Sequence, residues 1–481
     1  EEAMSRTLRL TLATMVVVAG MCMGSALAED ANGLRLPKIL TDNMVLQQEM
    51  PVAVWGWANP GDLVTVSFAG KTAKAPTLPD GTWITKLAPM KADGKPEALT
   101  VSAGGRKIEL KNVVLGEVWL CAGQSNMNRE VKIDEDDPGL RLFWIHANPV
   151  IPMKDEFAKN TMGWMPADPA KVSSAEMVKY REENFDKGWK QGFAEVGYVF
   201  GKRLRKDLGV PVGLIKSAFG GSVAKQWTPV EGIEKEHPFG QECKPADGVL
   251  WQSMVQGMVP MTIRGVVWYQ GETDGRNWNY DKDLTAMIEA WRKAFCNPDM
   301  PFYLAQIAQT TYASGMERVW ECQAAVAAKV PNVYLATSND LWDGARTDNK
   351  AIHLDDGKKD APGTGWPLAG SSNPHPPHKD IVAARLAEEA LVKTYGKDLG
   401  HEVLPPVFLS CQARDDHMLV KFANVGEGLK TDDGQAPNWF ELAPAADNEK
   451  DIRYVKAEAK IVGKDTVEVS SPEVKDPKYV R

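Results

Sequence analysis

From Gly116 to about residue 398 the chain switches repeatedly between short apolar runs and longer helical stretches. VWLCA, VGLIKSA, GVVWYQG, FYLAQIA and NVYLATS read as strands, and helix-patterned segments separate them. FAEVGYVFGKRLRKDLG is the clearest helix, with Phe193, Val196, Phe200, Leu204 and Leu208 three or four apart on one face. Alternation of this kind dictates an α/β domain built on a mainly parallel sheet. Ligands of such domains sit in the crevice at the carboxyl ends of the strands.

The segments on either side read as β structure. Over 29–115, MVLQQ, PVAVWGWA, LVTVSFAG, TWITKLAP, ALTVSAG and KIELKNVV are rich in Val, Thr, Trp and Ile. Asn59-Pro60-Gly61-Asp62, Asp80-Gly81 and Gly104-Gly105 supply the turns, and short strands at this spacing suggest a small sandwich. After Pro405-Pro406 the pattern returns in HMLVKFAN, NWFELA, YVKAEAKIVG and TVEVSS. A chain of 481 residues exceeds one ordinary core. The expected organisation is an N-terminal β domain (29–115), an α/β domain (116–398) and a C-terminal β region (399–481).

Residues 1–28 read as a secretory signal. Arg6 and Arg9 precede the apolar run LTLATMVVVAGMCMG, and Ser25-Ala26-Leu27-Ala28 offers small residues before Glu29. The run is short and carries glycines, which disfavours a stable membrane anchor, so the protein is expected to be secreted or periplasmic. The net charge of −8 has no long single-sign block behind it, which argues against a nucleic-acid partner. The cysteines beyond Cys22 are scattered at Cys121, Cys243, Cys296, Cys322 and Cys411, with no metal-ligand spacing. No metal and no cofactor is expected. One or two disulfides are compatible with export, but nothing in the sequence pairs them.

Four polar signals fall at the ends of expected strands. Ser125 follows VWLCAG, Gly220-Gly221-Ser222 follows VGLIKSAF, and Gln270-Gly271-Glu272 follows GVVWY. His375 and His378 lie in NPHPPHK, just before the helical DIVAARLAEEALV. Taken singly each has a bland explanation: a helix cap, a tight turn, loop polar groups, a surface histidine. Together, in one crevice, they have the parts needed for acyl transfer. A serine on a strand-to-helix turn is exposed, glycines let backbone N–H groups approach a developing oxyanion, a glutamine amide adds a donor, and a histidine takes the serine proton. A histidine base predicts activity that rises near pH ~6–7. GQSNM is not G-x-S-x-G, which disfavours a standard α/β-hydrolase.

DNMVLQQEMPVAVWGWANPGD, GEVWLCAGQSNM, VPVGLIKSAFGGS, GVVWYQGETD, PFYLAQIA and HPPHKDIVAARLA make the chain resemble the sialate O-acetylesterases, carbohydrate esterases of the Ser-Gly-Asn-His hydrolase group. The resemblance runs from about residue 36 to 395. It implies a three-layer SGNH-hydrolase-like α/β domain flanked by β-sandwich-like regions. It implies Ser125 as nucleophile, and an oxyanion hole made by its own N–H, a glycine of Gly220-Gly221 and the Gln270 side chain. Glu272 is implied to anchor the Gln270 loop, with Gln124 and Asn126 as supporting residues. His375 matches the general base, and His378 falls where the family tolerates other residues. The implied substrate is an O-acetylated sialic acid; acetylated glycans such as acetylxylan are the alternative, since such motifs govern the acetyl group more than the sugar. The family usually continues beyond the equivalent of Arg481, so the C-terminal β region reads as truncated.

One position departs from the family. The aspartate expected two residues before the histidine is Asn373, and Leu341–Ser372 reads as an insertion. Candidates for the acid or orienting group are therefore Asn373, Asp340, Asp355 and Asp356, with Asp343, Asp348 and His353 nearby in sequence. A carbohydrate-binding protein with a decayed site is the competing reading that Asn373 favours. Sixteen tryptophans could supply stacking surfaces, although most in such a fold belong to the core.

Overall fold

The computed structural model describes residues 33–146, 161–184, 191–230, 247–308, 315–338, 341, 374–431, 433–448 and 452–481. The chain divides into two compact units, Glu1–Ala387 and Glu388–Arg481.

The first unit opens with strands β1 (Val45–Gln47), β2 (Val52–Trp57), β3 (Leu63–Phe68), β4 (Lys71–Pro76), β5 (Thr82–Leu87) and β6 (Glu97–Ala103). Each of the expected N-terminal strands forms. The sequence reading passed over β4, whose KTAKAP is mostly exposed and carries little apolar signal. β2 pairs β5, and β3 lies between β4 and β6, all antiparallel.

β7 (Arg106–Gly123) joins the two kinds of architecture. Its first part pairs antiparallel with β6, Val114–Gly116 pair parallel with β1, and Glu117–Gly123 lie in the parallel sheet. The remaining strands of this unit are β8 (Glu130–Val131), β9 (Asp137–Ile145), β10 (Met165–Ala167), β11 (Phe193–Ala194), β12 (Val212–Ala218), β13 (Gly265–Tyr269), β14 (Phe302–Ala305) and β15 (Val333–Ala336). The main sheet runs β10-β9-β12-β7-β13-β14-β15, parallel except at β10. β12, β13 and β14 are buried along their whole length, as strands covered on both faces must be. Residues from β1, β2 and β7 share one apolar core with β13, β14 and helix Tyr280–Ala294.

Helix Glu195–Leu208 buries Val196, Phe200 and Leu204, and Gly209 ends it in the left-handed conformation. The spacing places Phe193 on this helix, but the helix starts only at Glu195. Phe193 sits in β11, paired with Val131, and still contributes a fully buried ring. Among the described residues no helix is long and apolar enough to cross a membrane. Cys121, Cys296, Cys322 and Cys411 are free.

The second unit is antiparallel. β16 (Val407–Arg414), β17 (His417–Ala423), β18 (Glu441–Pro444), β19 (Val455–Lys456), β20 (Glu458–Ile461), β21 (Thr466–Ser470) and β22 (Pro477–Val480) form two sheets, β16-β17-β21-β20 and β19-β18-β22. Met418, Val420, Leu442, Val467 and Val469 make its core.

Candidate active site

Three strand ends meet at one level. Gly123 of β7 is in register with Ala218 of β12 and with Tyr269 of β13. Two backbone bonds hold the exits together: Phe219 N–H to Gly123 O at 2.9 Å, and Gln124 N–H to Tyr269 O at 2.9 Å. Only glycine fits at 123. Its φ is +141°, and a Cβ there would lie 2.1 Å from the Tyr269 carbonyl. The chain then turns at once into the short helix Ser125–Asn128, which places Ser125 at the helix start, between the loops that follow β12 and β13.

Ser125 Oγ lies 2.8 Å from His375 Nε2, although 250 positions separate them. The histidine segment precedes helix Lys379–Lys393. Asn126 fastens that segment by donating from Nδ2 to Pro374 O at 2.9 Å. The Gly220 turn comes close on the other side: a Cβ on Gly220 would lie 3.6 Å from Ser125 Cβ. Gly221 adopts φ +74°, which closes the turn. Among the described residues no backbone carbonyl accepts from the N–H of Ser125, Gly220 or Gly221. Small residues and free N–H groups beside a serine oxygen suit an oxyanion.

Glu272 is fully buried and holds both neighbours of the serine. It accepts from Gln124 Nε2 and from Asn126 Nδ2. Burial pushes its carboxyl up to about 7, against the opposing pull of the Asn126 bond and the Lys379 charge. These two bonds tie the Gln270-Gly271-Glu272 segment to the residues on either side of Ser125.

Gln270 has a different place from the one implied by the family. It is fully buried, and its Nε2 donates to Ser222 O at 2.9 Å and to Asp274 Oδ2 at 2.7 Å. An amide nitrogen carries two hydrogens, and both are engaged. Tyr280 O–H points between the Gln270 backbone carbonyl, 3.0 Å away, and its Oε1, 3.1 Å away. In this arrangement Gln270 supports the Gly220-Gly221-Ser222 turn and has no hydrogen left for an oxyanion. Asp274 completes the support by accepting from Ala224 N–H at 3.0 Å, and burial pushes its carboxyl up to about 6.

Among the described residues two cations stand near the base. Lys379 is fully buried and donates from Nζ to Pro376 O at 2.7 Å. Arg129 follows the serine helix and pairs with Glu195 at 3.6 Å. Burial, then Lys379, then Arg129 push His375 down to about 4. The imidazole is therefore neutral well below the pH ~6–7 expected of an ordinary histidine. Burial and Arg129 likewise push Lys379 below the usual lysine range, while Glu195 and Glu272 pull it back.

Of the residues the sequence singles out, the structure brings together Ser125, His375, the glycine turn, Gln124, Asn126 and Glu272. The sequence reading missed Asp274, Tyr280, Lys379 and Arg129. Asp274 lay within reach, two residues beyond Glu272 in the same motif. Lys379 follows a Pro-Pro-His run and reads as a solvated loop charge, so its burial leaves no trace in the sequence. Asn373, Asp340, Asp355 and Asp356 lie outside the described residues. Among the described residues no group of three or more His, Cys, Asp and Glu side chains is placed to hold a metal.

A parallel α/β sheet with a serine-histidine pair at its carboxyl edge, accompanied by separate antiparallel sheets, defines an SGNH-like carbohydrate esterase, a carboxylic ester hydrolase. A family model described as carbohydrate esterase, sialic acid-specific acetylesterase, matches residues 115–363, and the chain belongs to that family. Human sialate O-acetylesterase is 28% identical over 413 residues, covering 76% of this chain and 72% of the relative. The rat sialate O-acetylesterase is 26% identical over 469 residues, covering 80% and 77%. A solved carbohydrate acetylesterase from Xanthomonas citri superposes with a TM-score of 0.73 at 27% identity, covering 93% of each chain.

Proposed function

We propose that the protein is an exported serine esterase that removes O-acetyl groups from sialic acids. The Ser125 Oγ–His375 Nε2 distance of 2.8 Å carries this reading. His375 takes the serine proton as Oγ attacks the acetyl carbonyl. The tetrahedral oxyanion is received by the N–H groups of Ser125 and the Gly220-Gly221 turn. Collapse expels the sugar hydroxyl, which takes the proton back from His375, and leaves acetyl-Ser125. Water, deprotonated by the same imidazole, attacks the acetyl-enzyme, releases acetate and restores the serine.

Support for the sialic acid substrate comes from the family and from the human and rat relatives. The likeness to a carbohydrate acetylesterase of broader description favours a second reading, in which another acetylated glycan is the substrate. Export is supported by the charged, then apolar, then small-residue pattern before Glu29.

Acetate release from O-acetylated sialic acids and from acetylxylan, compared for the wild type and Ser125→Ala, tests both points. Loss of a triad nucleophile costs on the order of 10⁶ in turnover in a comparable hydrolase. Wild-type-like turnover by Ser125→Ala ends the acyl-serine reading. Acetate from xylan alone moves the substrate to the second reading.

A further inference from the structure

Large aromatic side chains in this fold are core material: Trp83, Trp119, Trp144, Trp227, Trp268 and Trp291 are all fully buried. Among the described residues of the first unit Trp278 is the most exposed aromatic, at 77% against 49% for Tyr180. It lies nine residues beyond Tyr269, in the loop that leaves the carboxyl end of β13, next to the strand that delivers Ser125. Nothing in the packing of the core requires a tryptophan there.

The loop is built to hold that ring in place. Asn277 donates from Nδ2 to Asp274 Oδ1 at 3.1 Å and to Asp283 Oδ2 at 2.7 Å. Asn279 N–H donates to Asn277 Oδ1 at 3.0 Å. Asp274 is the carboxylate that also holds Gln270, so the loop and the glycine turn beside Ser125 share one support. On the other side the loop meets the start of helix Met316–Lys329, where a Cβ on Gly315 would lie 2.1 Å from Gly275 O. Arg318 of that helix places its guanidinium over the indole, 5.8 Å from the ring centroid, and donates to Trp278 O at 3.4 Å. A braced backbone and a cation beside the ring restrict the indole while leaving most of its surface open.

We infer that Trp278 is the stacking platform of a sugar subsite on the rim of the crevice. It would receive the apolar face of a pyranose ring of the acetylated glycan while the acetyl group reaches Ser125. An indole offers a large rigid surface that loses little freedom on binding. A pyranose presents a patch of C–H groups that suits it, with hydroxyls left in water. The subsite rests on the reading of the crevice as a site for sugar-borne acetate. It would make Trp278 a specificity-determining residue, since a simple acetate ester has no ring to place there.

The test is a binding comparison in the Ser125→Ala background, which keeps the ligand intact. O-acetylated N-acetylneuraminic acid and an acetylated xylo-oligosaccharide are each titrated calorimetrically into Ser125→Ala, Ser125→Ala/Trp278→Ala and Ser125→Ala/Trp278→Phe. Trp278→Ala is expected to weaken binding of the accepted sugar about tenfold, and Trp278→Phe to recover part of the loss. Equal affinity in all three proteins, or no saturable binding of either sugar to any of them, overturns the subsite. Hydrolysis of ethyl acetate by wild type reports separately on the esterase, because that ester does not need the ring. A thermal melt of each variant identifies any loss that comes from misfolding, and Trp278→Phe then carries the comparison.

Discussion

Asn126 donates its side-chain amide to the carbonyl of Pro374 at 2.9 Å, so the residue after the nucleophile grips the residue before the base. The same nitrogen donates to Glu272, which also holds Gln124 on the other side of Ser125. The nucleophile and base, far apart in sequence, are thus set by one buried carboxylate and one amide. Removing the amide should release the His375 segment and leave Glu272 with a single amide partner. Asn126→Ala is expected to lower kcat by about 10², the scale on which an ångström of misplacement acts. The check is kcat on ethyl acetate alongside a thermal melt. A variant with normal turnover would show that the histidine segment holds its position without this bond.

The support given by Gln270 leads to a sharper substitution. Its amide nitrogen serves two acceptors, Ser222 O and Asp274 Oδ2. Gln270→Glu puts an oxygen where that nitrogen stood, against a carbonyl and a carboxylate, at a fully buried site. The expected cost is about 1–3 kcal/mol of stability from unmet hydrogen bonds. Activity should fall as the glycine turn shifts. Urea unfolding and kcat measured together check this. If Gln270→Glu loses activity with no loss of stability, Gln270 touches the reacting oxyanion after all.

Much of this arrangement could be read from the chain. VWLCAG, VGLIKSAF and GVVWY each end where a parallel strand must end, which sets Ser125, Gly220 and Gln270 at one edge of the sheet. Residue type asks for a serine and a histidine there, and the family resemblance singles out His375 over His378. What the pattern could not give was which hydrogens were already in use. Gln270 looks the same in sequence whether its amide faces a substrate or Asp274. The burial of Lys379 is equally silent, because a lysine after HPPH carries no periodic signal. Nor did alternation mark the continuity of β7, since the switch from antiparallel to parallel neighbours at Val114 happens in the partners and not in the strand itself.

The electrostatics of the base set a pH dependence. His375 is pushed down to about 4 by burial, Lys379 and Arg129. The imidazole must be neutral to accept the Ser125 proton. The acid limb of kcat/KM should therefore lie well below the ordinary histidine value of about 6.5. Arg129→Gln removes one positive charge that disfavours the imidazolium, so the histidine pKa rises and the limb moves to higher pH. Activity at pH ~5 then falls relative to that at pH ~8. Arg129→Lys keeps the charge and should leave the limb where it was. A limb that stays put in Arg129→Gln, or moves to lower pH, would remove Arg129 from the field at His375.

Asn373 stands two residues before His375, where the family resemblance implies an aspartate that would orient the imidazole. In a serine triad the carboxylate fixes the imidazole tautomer and stabilises the imidazolium. An asparagine carbonyl can accept the ring N–H, but it brings no charge, and its N–H₂ can select the wrong tautomer. In the serine-protease case the corresponding Asp-to-Asn change costs about 10⁴ in turnover. A carboxylate would also raise the base, opposing the downward push from Lys379 and Arg129. Two outcomes are then distinguishable. If Asp340, Asp355 or Asp356 supplies the acid, Asn373→Asp gains little, and replacing that aspartate by alanine cripples the enzyme. If the site works as a serine-histidine dyad, Asn373→Asp raises turnover by about 10² or more and shifts the acid limb to higher pH. We expect the first, because the segment 341–372, which the sequence reads as an insertion, brings aspartates into the stretch just before Asn373. Turnover and pH profiles of Asn373→Asp and of the three alanine variants decide between them. Silence from all four would mean that the imidazole is oriented by a group other than these.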